Sequence, residues 1–221
     1  MKKRRYGLPA PLPFAALALA WLLSGCTSGA EPVSVKELVR IADEAGPGKN
    51  GKPAELDACP LPYDIGKAAE AAGVTAGSGA GGGGDGPAAT VEGGKYAASG
   101  DPLDVNPGAL VSCAFRLGDE DVEVHTIGTE RPSALAVLAP AIQAAAKMRT
   151  EDLAAYVDKA AQGAPGTPLV SGSGNVASVP LKDADGGSTG LVVAVAPDAG
   201  KTSLSRAQIE GLAKALVSQA G

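Results

Sequence analysis

Between residues 33 and 46 apolar side chains return every three or four positions. Leu38, Val39, Ala42 and Ala45 share one helical face, and Gly46 stops the turn. Ser34 and Glu37 have the spacing of a capping box, with Val33 and Leu38 placed as the hydrophobic staple. A polar link, GPGKNGKPAELDA, leads to Cys59 and a second helix over residues 62–72, closed by Gly73. Its face of Ile65, Ala68, Ala69 and Ala72 is narrow and small, which permits close packing. A third helical stretch runs from Pro132 to about Lys147, and Pro140, which lacks a donor N–H, predicts a kink or a split within it. The next helix begins at Thr150, with Glu151 and Asp152 in its first turn, and ends before Gly163. The last begins at Ser205, which forms a capping box with Gln208 while Leu204 faces Ile209. Its buried stripe is Ile209, Leu212, Ala213, Leu216 and Val217.

Two segments follow the period of a strand. LVSCAFRL, a polar turn at residues 118–121 and VEVHTIG make one hairpin, in which Val122, Val124 and Thr126 alternate with Glu123 and His125. NVASVPL, a turn at residues 183–187 and GLVVAVA make a second. Paired together they predict a two-layer α+β fold: one antiparallel four-stranded sheet from two hairpins, with helices packed on one face and a polar face opposite. Residues 75–108, beginning AGSGAGGGGDGP, carry too little apolar surface to offset their ordering entropy. They read as a flexible Gly-rich loop inside a single domain spanning 33–221.

Ahead of this domain stand four cations, Lys2 to Arg5, and an apolar run from Phe14 to Leu23. Ten helical residues cover about 15 Å, half a bilayer core, so residues 1–25 fit a signal peptide better than a membrane span. The run closes on Leu23-Ser24-Gly25-Cys26, which resembles the lipobox of bacterial prolipoproteins. That resemblance implies that Cys26 becomes the lipidated first residue, held at the extracytoplasmic face of the cell membrane. Arg4-Arg5 leaves the export route, general secretory or twin-arginine, open. Residues 26–32 form a short tether that reaches about 25 Å at most.

With Cys26 assigned to lipid, Cys59 and Cys113 remain, an even number in an oxidising compartment, and a disulfide is expected. Closing a loop of this length contributes about 4 kcal/mol in the chain-entropy account. Neither cysteine belongs to a C-x-x-C pair, so a structural role is favoured over a redox one.

Composition narrows the function classes. Of 19 basic residues four lie in the leader, leaving 15 against 24 carboxylates, a balance of −9 that repels phosphate backbones; no nucleic-acid partner is expected. Outside the leader only Tyr63, Tyr96, Phe115 and Tyr156 are aromatic, too few for a base- or sugar-stacking platform. One histidine and two remaining cysteines are short of a zinc ligand set, and neither metal nor cofactor is expected.

Several motifs match on paper and fail in context. Gly77-x-Gly79-x-x-Gly82 lies in a glycine run with no helix after it, so a dinucleotide fingerprint is not expected. Residues 195–202 end in Gly-Lys-Thr but have Val195 where a phosphate loop needs its first glycine. In Gly186-Gly187-Ser188-Thr189-Gly190 the serine precedes a strand, and the only histidine is upstream, the wrong order for the hydrolases that use G-x-S-x-G. Asp183 and Asp185 suit a hairpin turn rather than a calcium loop, and Asp119-Glu120-Asp121 a solvated turn.

A cysteine followed by a short Ala-rich helix (CPLPYDIGKAAEAAG), a variable loop, a strand with a second cysteine (LVSCAFRL) and a hairpin resembles the two-cysteine domains of actinobacterial lipoproteins. The extracellular sensor domains of mycobacterial serine/threonine kinases share that layout. The resemblance spans roughly residues 55–221 and implies a group mostly without known activity, with no catalytic residue assigned.

The expected function is therefore a membrane-anchored envelope lipoprotein that binds an envelope protein or a small ligand without catalysis. Glu123 and His125, on one face of the first hairpin, are the candidate contact surface, histidine being the side chain that exchanges protons near neutral pH. The alternative is an envelope hydrolase whose site is built from ordinary Ser, Asp and Lys residues.

Overall fold

The computed structural model describes residues 33–75, 77–80, 88–182 and 186–221. The signal peptide, Cys26, the tether, Gly82 and the Asp183–Asp185 turn lie outside the described residues.

Helix α1 (Val35–Ala45) starts at Ser34, whose hydroxyl accepts the N–H of Glu37 at 3.2 Å, and ends at Gly46 with φ 77°. Both staple residues, Val33 and Leu38, are buried. α2 (Ile65–Ala71) is capped by Asp64 rather than starting near Pro62. The short helix α3 (Pro102–Val105) precedes the first hairpin. The stretch after Pro132 is split as expected, into α4 (Ala134–Val137) and α5 (Ala139–Ala146), with Pro140 in the first turn of α5, where no donor is needed. α6 (Thr150–Ala161) follows, and α7 (Arg206–Gln219) opens with the reciprocal Ser205–Gln208 capping box.

The two expected hairpins are β4 (Gly108–Leu117) with β5 (Glu120–Thr129), and β7 (Val176–Pro180) with β8 (Ser188–Val195). They join through β5 and β8, Val124 opposite Val193, to give the antiparallel order β4-β5-β8-β7. The sheet is nevertheless wider than the four strands expected. β1 (Ala54–Leu56), β3 (Ala89–Gly93) and the two-residue β6 (Leu169–Val170) extend it to seven strands in the order β1-β3-β4-β5-β8-β7-β6. A short β2 (Ser78–Ala80) pairs with residues 115–117 of β4, further along the edge that β3 occupies. Hence much of the stretch expected as a flexible loop is built into the sheet: β3 alternates buried Ala89 and Val91 with Thr90 and Glu92, and a 3-10 turn (Gly94–Tyr96) and α3 follow it.

The layering also differs from the expected two layers. Helices cover both faces of the sheet. On one face α1, α2 and α7 bury Leu38, Ala68, Ile209 and Leu212 against Val111, Val124, Leu191 and Val193. On the other α4, α5 and α6 bury Leu135, Ile142 and Val157 against Ile127, Val176, Val192 and Ala194. The physical reason lies in β8, where Leu191, Val192, Val193, Ala194 and Val195 are all at most 1% exposed. A strand apolar on both sides needs a layer on each.

Two glycines let helices pack closely. A Cβ on Gly128 would lie 3.1 Å from the Cα of Val35, so α1 rests directly on β5. One on Gly211 would meet Ala72 at the same distance, which is how the small face of α2 docks on α7. Cys59 and Cys113 are joined, with Cα atoms 5.3 Å apart, fixing the chain before α2 to the middle of β4.

Candidate functional site

The second helical layer stops at β5, leaving the same face of β3 and β4 without a long helix. Strand periodicity decides what stands there: Thr90 and Glu92 from β3, Ser112, Ala114 and Arg116 from β4, Glu123 and His125 from β5. Register aligns Thr90, Ser112 and His125 in one row across three strands, with Ala114 opposite Glu123 in the next.

Ser112 Oγ lies 2.8 Å from His125 Nδ1, and His125 Nε2 lies 3.3 Å from Glu123 Oε2. A neutral ring protonated on Nε2 presents that proton to the carboxylate and accepts from the Ser112 hydroxyl on Nδ1. The imidazole holds the Glu123 carboxyl below its usual range, outweighing the loss of water around it. The His125 side chain is 12% exposed and that of Glu123 45%, so the row is set into the face with its acidic end open to solvent. Arg116 closes the row at the hairpin end, donating to Asp121 at 3.0 Å and to the carbonyl of Asp119 at 3.1 Å.

Strand alternation in the sequence places Glu123 and His125 on one face, and the structure brings them together. Ser112, Thr90 and Glu92 were not expected there. Ser112 was recoverable, because Leu110, Ser112, Ala114 and Arg116 alternate with Ala109, Val111, Cys113 and Phe115. Glu92 and Thr90 alternate just as regularly, within a tract whose glycines dominate its composition.

The other motif residues have structural partners. Ser188 Oγ accepts the N–H of Ala134 at 3.2 Å, serving the start of α4 rather than sitting on a strained turn. Before Lys201 the chain makes a tight turn at Ala196, φ 47°, and Glu120 then accepts from the Thr202 hydroxyl and the Ser203 N–H, an acidic anchor that opposes anion binding. Gly79 belongs to β2. Among the described residues no group of three or more His, Cys, Asp or Glu could hold a metal ion, and no helix is long and apolar enough to cross a membrane.

No family model, curated protein or solved structure matches the chain.

Proposed function

We propose that this chain is a cell-envelope lipoprotein, anchored through Cys26 at the extracytoplasmic face of the membrane, and that it works as a non-enzymatic binding or sensing module. Its recognition surface is the polar row on the uncovered part of the sheet. The observation that carries this reading is the Ser112–His125–Glu123 arrangement, three polar side chains already oriented on a rigid surface where no helix needs them. Strands hold such groups more accurately than loops, and preorganised polar groups bind at a lower ordering cost. Anchoring rests on the lipobox-like Leu23-Ser24-Gly25-Cys26 and the cationic, apolar leader before it. The backbone N–H of Val33 donates to the carbonyl of Ala220 at 2.8 Å, so the first described residue lies beside the end of α7. The partner is an envelope protein or a small ligand.

A second reading, an envelope hydrolase, has one observation in its favour: the same row sets a hydroxyl, an imidazole and a carboxylate in the order of an activated nucleophile. Its weakness is electrostatic. β4 is paired on both sides, by β3 and β5, so the N–H groups around Ser112 are held in the ladder and give a developing oxyanion no donors.

Two measurements test this, the first the anchoring and the second the choice between the two readings. Cys26→Ala is expected to release the protein from the membrane fraction, and mass spectrometry of the mature protein to find an acylated Cys26; an unmodified Cys26 on membrane-free protein contradicts anchoring. A fluorophosphonate probe is expected to leave Ser112 unlabelled, whereas a Ser112 adduct that disappears in His125→Ala would establish the hydrolase.

A further inference from the structure

We infer that the cavity at the open end of β3 is a binding site for a small organic cation, an amine carried on an apolar body. β1 pairs with β3 only as far as Ala54 opposite Val91, leaving Glu92 and Gly93 beyond the last pair. There a cavity of about 430 Å³ opens between the loop after α1, β3 and the segment leading into α3. That volume is within the range of small-molecule sites.

Its walls combine two kinds of surface. Leu103, Leu110 and Val137 supply apolar area, and Tyr96, 43% exposed with Lys95 Nζ 5.0 Å from its ring centroid, also lines the cavity. Glu92 and Asp101 supply two carboxylates. Several carboxylates elsewhere on this surface have partners: Glu37 and Glu44 take Arg40, Asp121 takes Arg116, Asp43 takes the N–H of Lys95, and Asp104 that of Gly100. Neither Glu92 nor Asp101 makes a side-chain hydrogen bond or an ion pair with any described residue. Lys52 also lines the cavity and pairs with neither.

Partial loss of water, and secondly repulsion from Asp101, hold the Glu92 carboxyl above its usual range although His125 pulls it the other way. An ammonium group between the two carboxylates would relieve both effects, and the apolar walls would take its hydrocarbon part. The net negative charge raises the local concentration of such cations. Glu92 shares its sheet face with the Ser112–His125–Glu123 row, but none of those three residues lines the cavity, and the inference does not depend on anchoring.

The test uses three probes on the purified protein: 2-phenylethylammonium, its anionic counterpart 2-phenylacetate, and calcium. Isothermal titration and amide chemical-shift mapping are expected to show the amine binding, with shifts at Glu92, Leu103 and Leu110, and no binding of phenylacetate. Glu92→Gln and Asp101→Asn are each expected to weaken the amine tenfold or more with unchanged circular dichroism and melting temperature, since neither side chain has a partner to lose. Glu123→Gln is expected to leave it unchanged. Equal binding of the anion, amine binding unaffected by both carboxylate substitutions, displacement of the amine by calcium, or no amine binding would each overturn the inference.

Discussion

The hydroxyl oxygens of Tyr63 and Thr126 lie 2.6 Å apart in the buried core, joining the chain just before α2 to the middle of β5. Burial pushes the Tyr63 phenol up to about 12, partly offset by the bond to Thr126. An unfolded tyrosine titrates near 10. The folded state therefore keeps a proton that the unfolded state has released. The stabilising contribution is fully present below about pH 10 and is lost as pH rises toward 12, to a total of about 3 kcal/mol. Denaturation midpoints measured from pH 9 to 12 should fall for the wild type and fall less for Tyr63→Phe. Parallel curves would contradict this.

The Cys59–Cys113 bridge spans 54 residues of sequence and enters the core at Cys113, 1% exposed. Replacing both cysteines with alanine should lower stability by about 2–4 kcal/mol. Urea denaturation of the oxidised protein, the reduced protein and the double variant checks this: the last two should resemble each other and fall well below the first. A reduced protein as stable as the oxidised one would show that the bridge adds nothing.

Glu123 offers a local test of the polar row. Its carboxyl is lowered first by the hydrogen bond to His125, while burial works in the opposite direction. Removing the imidazole leaves only the opposing effect. In an NMR titration of the side-chain carboxyl carbon, the wild-type midpoint should lie below the ordinary glutamate value of about 4.3, and His125→Ala should move it up to or above that value. The favourable contribution of this pair to folding is present above the ordinary carboxylate range and fades as pH falls through the lowered midpoint. A midpoint unmoved by the substitution would show that the imidazole does not govern this carboxyl.

Much of the scaffold was legible in local sequence. The Ser34 and Ser205 caps, Gly46, the break at Pro140 and both hairpins rest on interactions among near neighbours, which periodicity and capping chemistry report directly. What was misread depends on distant partners. Thr90 and Glu92 alternate as a strand should, but only pairing with Ser112 and Leu110 makes that segment part of a sheet, and its glycine-rich surroundings argued for a loop. The two-sided covering was written in the unbroken LVVAV run of β8, which was read as one half of a two-faced hairpin. For the site, Glu123 and His125 were visible because they alternate within one strand. Ser112 and Glu92 join them only through register, which no single segment contains.

The most direct test of the account is capture of envelope partners by the membrane-anchored wild-type protein and by a Glu123→Ala/His125→Ala variant, after cross-linking in intact cells and quantitative mass spectrometry. Matched expression, membrane localisation and melting temperature must first be established for the variant. The account predicts that partners cross-linked to the wild type fall tenfold or more in the variant. Undiminished capture would contradict recognition through the uncovered sheet face.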